Sequence, residues 1–272
     1  MIVDFHAHTT ESDGSLTPQA LADYMRDREV EAFAISDHDT LSAYDSFVAA
    51  SGTHVSTGIE INTTWRDNEV HILGYALPLD STSPLAAMLE RNREERRRRV
   101  ERMVEQLRQA GYSITLDGVL REAKGSKSLG RPHVAKALVR ANAVSDVEAA
   151  FRALLRRGRP GYVPSTHVTP VEAIAKIREC RGVAVLAHPG RLRDRSIIDD
   201  LVGHGLQGLE VFYPQHDAGE VAFFRAKAKE HGLVMTAGSD FHDIRYHAHG
   251  VGMEVDRSDV EPFLERVFRT AS

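Results

Sequence analysis

The sequence predicts an α/β fold in which strands and helices alternate, the strands close into a barrel, and one helical segment interrupts the pattern. Three observations carry this. Seven short apolar runs recur along the chain, each ending in polar residues. Helix-like segments separate several of them. Residues 81–160 contain no convincing strand. Strand alternating with helix implies a parallel sheet, and seven such strands suit a barrel better than two small domains. A chain of 272 residues has room for one such barrel with an insertion.

In order, the first strand is IVDFH (2–6). Thr17 and Pro18 then open a helix through PQALADYMRDREV, because a hydroxyl residue followed by proline at the first helical position is a start signal. FAISDHD (33–39), HVSTGIE (54–60) and VHILGYAL (70–77) are the next three strands. Several helical patterns follow, beginning with AAMLERNREERRRRVERMVEQLRQAG and closed by the turn-rich GRPGYVP (158–164). The alternation resumes with the helix TPVEAIAKIREC and the strands VAVLAHP (183–189), GLEVFY (208–213) and LVMTAGSD (233–240). Residues 1–80 and 161–272 are therefore expected to form the barrel, and residues 81–160 a helical insertion capping the active site.

Composition excludes several classes. A net charge of −5 argues against a general basic surface for long nucleic acid or membrane. A single cysteine, Cys180, rules out an internal disulfide framework and fits a reducing cytoplasm. No apolar run reaches the length of a membrane span, and the N-terminus lacks the basic and apolar regions of an export signal.

The 14 histidines exceed what packing asks for. A lone histidine at a strand end is usually a hydrogen-bonded structural residue, but His6, His8, His38, Glu60, His188, Asp240 and His242 all fall near the ends of apolar runs. His71 lies early in its run. Parallel-barrel strand ends share one face, where barrel enzymes build their sites. Imidazole and carboxylate suit zinc, manganese or iron, and so many converging donors with no lysine among them call for cations. In an extended strand His6 and His8 point to the same side, so both can bind one ion. Asp13, in the glycine-flanked ESDGS, can swing its carboxylate back toward them, or simply serve the turn ahead of Thr17.

The motifs DFHAHTTESDGSLTP, AISDHD, GIEI, HILGY, AHPGR and GSDFH, in this order over nearly the whole chain, resemble the polymerase and histidinol phosphatase (PHP) superfamily. The similarity is greatest to its branch of stand-alone phosphoesterases acting on nucleotides, the nucleoside 3',5'-bisphosphate phosphatases and 5'-3' exoribonucleases. The resemblance implies a distorted seven-stranded, TIM-like barrel holding three divalent metal ions. By position it implies His6, His8, Glu60 and Asp240 on the first ion, Asp13, His38 and His242 on the second, and Glu60, His71 and His188 on the third, with Glu60 bridging. Many relatives carry histidine where Asp13 stands. The carboxylate hardens that position toward manganese or magnesium. Manganese is the expected ion, with zinc, iron and magnesium compatible.

The helix LERNREERRRRVERMVEQL has an apolar stripe of Leu89, Val100, Met103 and Leu107, and the same stripe passes through Arg96 and Arg93. Most of its arginines read as a solvated, ion-paired face, with Glu94–Arg98 and Glu95–Arg99 as pairs. Arginine on the inward stripe reads instead as a phosphate clamp, and the resemblance points to positions 96–99. Arg131 opens a helix, where backbone N–H groups favour anions. Arg191 follows His188 closely. Arg96, Arg99, Arg131 and Arg191 are the expected substrate-binding residues; His133 either joins them or faces the helix core.

The expected reaction is metal-assisted hydrolysis of phosphate esters: clustered cations activate a bridging hydroxide held by the ligands, and no serine or cysteine nucleophile is needed. A metal-held water, Asp37 and Asp39 all stand as proton donors to the leaving oxygen. Four arginines suit a compact, doubly phosphorylated ligand: a nucleoside 3',5'-bisphosphate losing its 3'-phosphate, a short oligonucleotide cut from its 5' end, or both at the same site. Histidinol-phosphate phosphatase and a non-catalytic PHP module are the alternatives. No membrane, long nucleic acid or obligate protein partner is expected.

Overall fold

The computed structural model describes all residues except 46, 48–51, 67, 166, 167, 246–248 and 269–272. All seven expected strands are present: β1 (Ile2–Asp4), β2 (Ala32–Ile35), β3 (His54–Trp65), β4 (Asn68–Tyr75), β5 (Val183–Leu186), β6 (Gly208–Phe212) and β7 (Val234–Ala237). An eighth, β8 (Met253–Glu254), adds two residues beside β1, too short to show in an apolar pattern. The sheet runs in the order β7-β6-β5-β4-β3-β2-β1-β8. It curls into a nearly closed barrel, because the chain beyond β1 pairs with the chain beyond β7. The Phe5 N–H donates to the Ala237 carbonyl (2.9 Å), Asp240 N–H to His6 (2.7 Å) and His8 N–H to Phe241 (2.8 Å).

The sheet is mixed rather than wholly parallel. β4 runs antiparallel to both β3 and β5, since only the short turn after Trp65 joins β3 to β4 and no helix crosses over between them. This reversal has a functional consequence: the first residues of β4 lie at the same rim as the last residues of its neighbours.

Below that rim the interior is sealed by aromatic rings. Phe5, Tyr75 and Phe263 meet edge to face, with centroids 4.8–6.2 Å apart. The Tyr75 hydroxyl donates to the Phe5 carbonyl. Helices α1 (Pro18–Asp27), α6 (Pro170–Glu179), α7 (Ile197–Gly203), α8 (Ala218–His231) and α9 (Arg257–Val267) lie around the sheet. The start signal at Thr17 works as expected: its side chain accepts from the Ala20 N–H, with Pro18 as the first helical residue.

Between β4 and β5 the chain is helical: α2 (Pro84–Gln109), α3 (Leu116–Ala123), α4 (Arg131–Arg140) and α5 (Val147–Ala150), which runs into a π turn over Phe151–Leu155. These helices share an apolar cluster of their own, in which Val100, Met103, Leu107, Val134, Leu138 and Leu155 are buried. No helix among the described residues is long and apolar enough to cross a membrane.

Candidate metal and phosphate site

Three overlapping groups of donor atoms gather at the rim. His6, His8, Glu60 and Asp240 form one; His8, Asp13, His38 and His242 a second; Glu60, His71 and His188 a third. All nine residues singled out in the sequence are brought together. The ones beyond β1, β2, β5 and β7 sit just past the strand ends. Glu60 does not: β3 continues to Trp65 because it pairs with β4 along its whole length, so Glu60 projects from mid-strand. His71 reaches the same rim because β4 is reversed, its backbone lying opposite Asn62 of β3.

Glu60 is the hub. It is buried, and five imidazoles approach its carboxylate: His71 Nδ1 at 2.7 Å, His38 Nδ1 at 2.9 Å, His188 Nε2 at 3.1 Å, His8 Nε2 at 3.3 Å and His6 Nε2 at 3.4 Å. Asp240 lies 3.4 Å from His6 Nε2 and 3.3 Å from His8 Nε2. Asp13 lies 3.3 Å from His242 and 3.7 Å from His38. A tight turn brings it there, with the Ser12 and Gly14 N–H groups both donating to the Thr9 carbonyl. Gly14 is needed for the close approach: a Cβ there would stand 2.3 Å from the His8 carbonyl oxygen. Asp37 accepts from the Thr9 N–H and from the hydroxyls of Thr9 and Ser12, pinning the same turn.

The electrostatics are those of a site built around positive charge. Burial pushes the carboxyl pKa values of Glu60, Asp13 and Asp240 up, but the surrounding imidazoles outweigh it and hold all three well below the usual range. Burial pushes His6 and His8 down; the carboxylates win again, lifting His6 well above its ordinary value and His8 to about 10. For His38 burial prevails, at about 4. Four buried ligand atoms, His6 Nε2, both ring nitrogens of His8 and Glu60 Oε2, make no hydrogen bond. Orphaned polar atoms at such depth are costly. A divalent cation in the first donor group would give His6 Nε2, His8 Nε2 and Glu60 a partner, displacing protons as it binds. The residues fit a metal group.

A supporting layer went unnoticed in the sequence. Glu210, within the apolar run of β6, accepts from the His6 ring at Nδ1 (2.9 Å) and from the His188 N–H (2.6 Å); it aims the His6 Nε2 at Glu60 and Asp240, the usual office of such a carboxylate. A charged residue in a strand buried at every position was its signal. The Tyr213 hydroxyl donates to Asp240 (3.1 Å). His188 has a φ of 29°, outside the usual left-handed region and beside the cleft, where such strain is often functional.

Gly238 gives a direct test of this layer. A Cβ there would stand 2.2 Å from the His6 Cβ and 2.6 Å from Glu210 Oε1. Gly238→Ala is expected to push His6 off its aim and weaken metal binding by about 10–100-fold, read by titrating the metal-free protein. Unchanged affinity would show that the rim absorbs the methyl group.

The arginines divide as their helix face dictates. Arg96 and Arg99 are buried; Arg97 and Arg98 are exposed and paired with Glu101, and with Glu94 and Glu95. The expected Glu95–Arg99 pair does not form. Arg99 turns inward to Glu69 (2.7 Å), which also accepts from Arg131 (2.7 Å). Glu69 is held at a pKa of about 2, because the two guanidinium groups overcome the effect of burial. Arg96 donates to the Leu129 carbonyl and to Asp39, and Arg191 to Asp240 (3.1 Å). All four arginines line a cleft of about 290 Å³ together with Asp13, Glu60 and Asp240. Arg93 instead donates to the Asp39 carbonyl and faces a neighbouring groove.

One pair of candidates lies away from the cleft, and His133 takes one of its two expected places. Asp37 and Asp39 do not line the cleft, because Asp37 is consumed by the 9–14 turn and Asp39 by Asn62, Asn92 and Arg96. His133 faces inward: its Nδ1 accepts from the Gly130 N–H and caps α4, and burial depresses its pKa to about 4.

No protein-family model matches the chain. The chain is 34% identical to a 3',5'-nucleoside bisphosphate phosphatase of Chromobacterium violaceum, over 98% of this chain and 95% of that protein. It is 36% identical to the 5'-3' exoribonuclease Rnm of Escherichia coli, over 89% and 85%. A solved structure from Bifidobacterium adolescentis, described as a candidate metal-dependent phosphoesterase, superposes with a TM-score of 0.84 at 32% identity, covering 97% of this chain and 95% of that one.

Proposed function

The chain belongs to the PHP family of metal-dependent phosphoesterases and is a phosphoric ester hydrolase; on that premise we propose that it removes the 3'-phosphate of nucleoside 3',5'-bisphosphates and trims short oligonucleotides from their 5' ends. One juxtaposition carries the reading: the donor clusters around Glu60 and the arginines of α2 and α4 share one cleft. Two kinds of anion seat side by side suit a ligand with two phosphates. The acidic groups among the cleft's described lining residues, Asp13, Glu60 and Asp240, all belong to the donor clusters. None is left over to receive the amine of histidinol phosphate.

In this reading residues 81–160 form a cap over the barrel, and three ions, manganese by preference, occupy the three donor groups. Divalent cations there supply charge to the phosphoryl oxygens and lower the pKa of a water. The chain's own work is placement. Glu60 joins the first donor group to the third and His8 joins it to the second, Glu210 and Tyr213 fix His6 and Asp240, and Arg99 and Arg131 grip the phosphate that is not cleaved. Each guanidinium carries five donors; Glu69 takes one from each and the Val163 carbonyl takes the Nε–H of Arg99, leaving the others for the ligand. Arg191, over the Tyr213 ring at 5.3 Å, guards the opposite side. The lone Cys180 supports a cytoplasmic location.

The clamp is tested best at Arg131, whose side chain is 28% exposed and bonded to Glu69. Removing Arg96 would leave buried Asp39 short of a partner and confound binding with folding. Arg131→Ala is expected to lower kcat/KM on adenosine 3',5'-bisphosphate by about one to two decades, since a charged hydrogen bond is worth roughly 1.5–3 kcal/mol. Hydrolysis of p-nitrophenyl phosphate, with no second phosphate, should stay near wild type. Equal losses on both would place Arg131 on the reacting group or in the fold. No loss on either would dismiss the clamp.

A further inference from the structure

The cleft has a wall that neither metal nor phosphate explains. Besides the donor groups and the arginines it is lined by Val100, Met103, Leu129, Pro132 and Phe151. Val100 directly follows Arg99 and Pro132 directly follows Arg131, so this apolar surface begins where the phosphate grip ends. Val100, Met103 and Leu129 are buried, held by the core of the helical segment. Phe151 differs: it is half-buried, packing against that core while also lining the cleft. It stacks on no other ring among the described residues, and it is the one aromatic residue other than histidine among the described residues lining the cleft.

Its backbone is unusual as well. Phe151 opens a π turn, Phe151–Leu155, directly after α5. An inserted residue of this kind re-aims the side chains around it and is frequent at functional sites. Two independent features thus meet at one residue: a ring with a free flank on the cleft, and a backbone irregularity that sets its direction.

Resting on the nucleotide reading above, we propose that Phe151 is the platform on which the nucleobase of the substrate stacks. Base–aromatic stacking tolerates any base, because every base has a π-face. The amide among the cleft's described lining residues, Asn62, is bonded to His38 and Asp39, and the lining carboxylates belong to the donor clusters, so neither kind is left to read base edges and the site requires a base without choosing among bases. This is a specificity device separate from the arginines: they measure the second phosphate, and Phe151 measures what lies between the phosphates.

The test compares adenosine and uridine 3',5'-bisphosphates with the abasic deoxyribose 3,5-bisphosphate. Wild type, Phe151→Leu and Phe151→Tyr are assayed with manganese. Leucine keeps apolar volume against the helical core and loses the ring, and thermal melting verifies that the fold is retained. Wild type is expected to favour both base-bearing substrates over the abasic one by about 5- to 150-fold in kcat/KM, the worth of one stack, with adenosine and uridine within a few-fold of each other. Phe151→Leu should reduce that preference to near unity while hydrolysis of the abasic bisphosphate is unchanged; Phe151→Tyr should keep it. A wild-type enzyme that cleaves the abasic bisphosphate as well as the others, or a leucine variant that retains the preference, overturns the platform and leaves the bisphosphatase reading standing. Wild type that cleaves p-nitrophenyl phosphate but none of the bisphosphates overturns both.

Discussion

Replacing Glu60 with glutamine is expected to abolish turnover and strip metal from the cleft together. Five imidazole nitrogens lie within 3.4 Å of this one carboxylate, and it belongs to two of the three donor groups. Glutamine keeps the shape but removes the negative charge on which cation binding depends. It also turns an N–H₂ group toward nitrogens that should be facing a cation. The loss in kcat should be on the order of 10³-fold or more, at least that of losing a preorganised charge contact. Elemental analysis of the purified variant should show depleted metal, and the metal-free wild type serves as the structural control for its circular dichroism. Full metal occupancy with activity within about tenfold of wild type would remove Glu60 from the hub. Depleted metal with activity restored by added manganese would keep it there, as a matter of affinity.

Much of this was legible before any coordinates, and the reasons are specific. His6 and His8 are separated by one residue in an extended segment, and period-two alternation alone puts them on one side. Arg96 and Arg99 stood out because one lay on an apolar stripe and both fell at the positions to which the resemblance points. Direction, however, leaves no trace in an apolar run. Nothing in VHILGYAL says that β4 is reversed, so His71 looked misplaced until its antiparallel pairing brought it to the rim. Partner choice was equally hidden. Glu95 stands four residues before Arg99, the right interval for a helical pair, yet Arg99 takes Glu69, across the fold. Asp37 and Asp39 flank a donor histidine and looked free for chemistry, whereas their hydrogen bonds spend them on the turn and on α2. Such long-range satisfaction of buried carboxylates is fixed by tertiary contacts that no local pattern encodes.

Asp13→Ala is the sharpest remaining test, because two readings of this residue predict opposite things. As a turn residue ahead of α1 its loss would cost about 0.5–2 kcal/mol of stability and leave the rate of the folded protein intact. The cap of that helix is already supplied by Thr17, whose side chain accepts from the Ala20 N–H. Asp13 turns the other way. It is buried, 3.3 Å from His242 and 3.7 Å from His38, and those imidazoles hold its carboxyl well below the usual range against the push of burial. As a cation ligand its removal should cost several orders of magnitude in kcat. The metal-binding stoichiometry should fall as well, and excess manganese should restore part of the rate by mass action. Asp13→His is the informative companion: imidazole is also a cation donor, so it should recover activity while shifting preference from manganese toward softer ions. Melting temperature and specific activity measured on the same preparations separate the readings. A lowered melting point with full activity returns Asp13 to the turn. A wild-type melting point with lost, manganese-rescued activity places it on the metal.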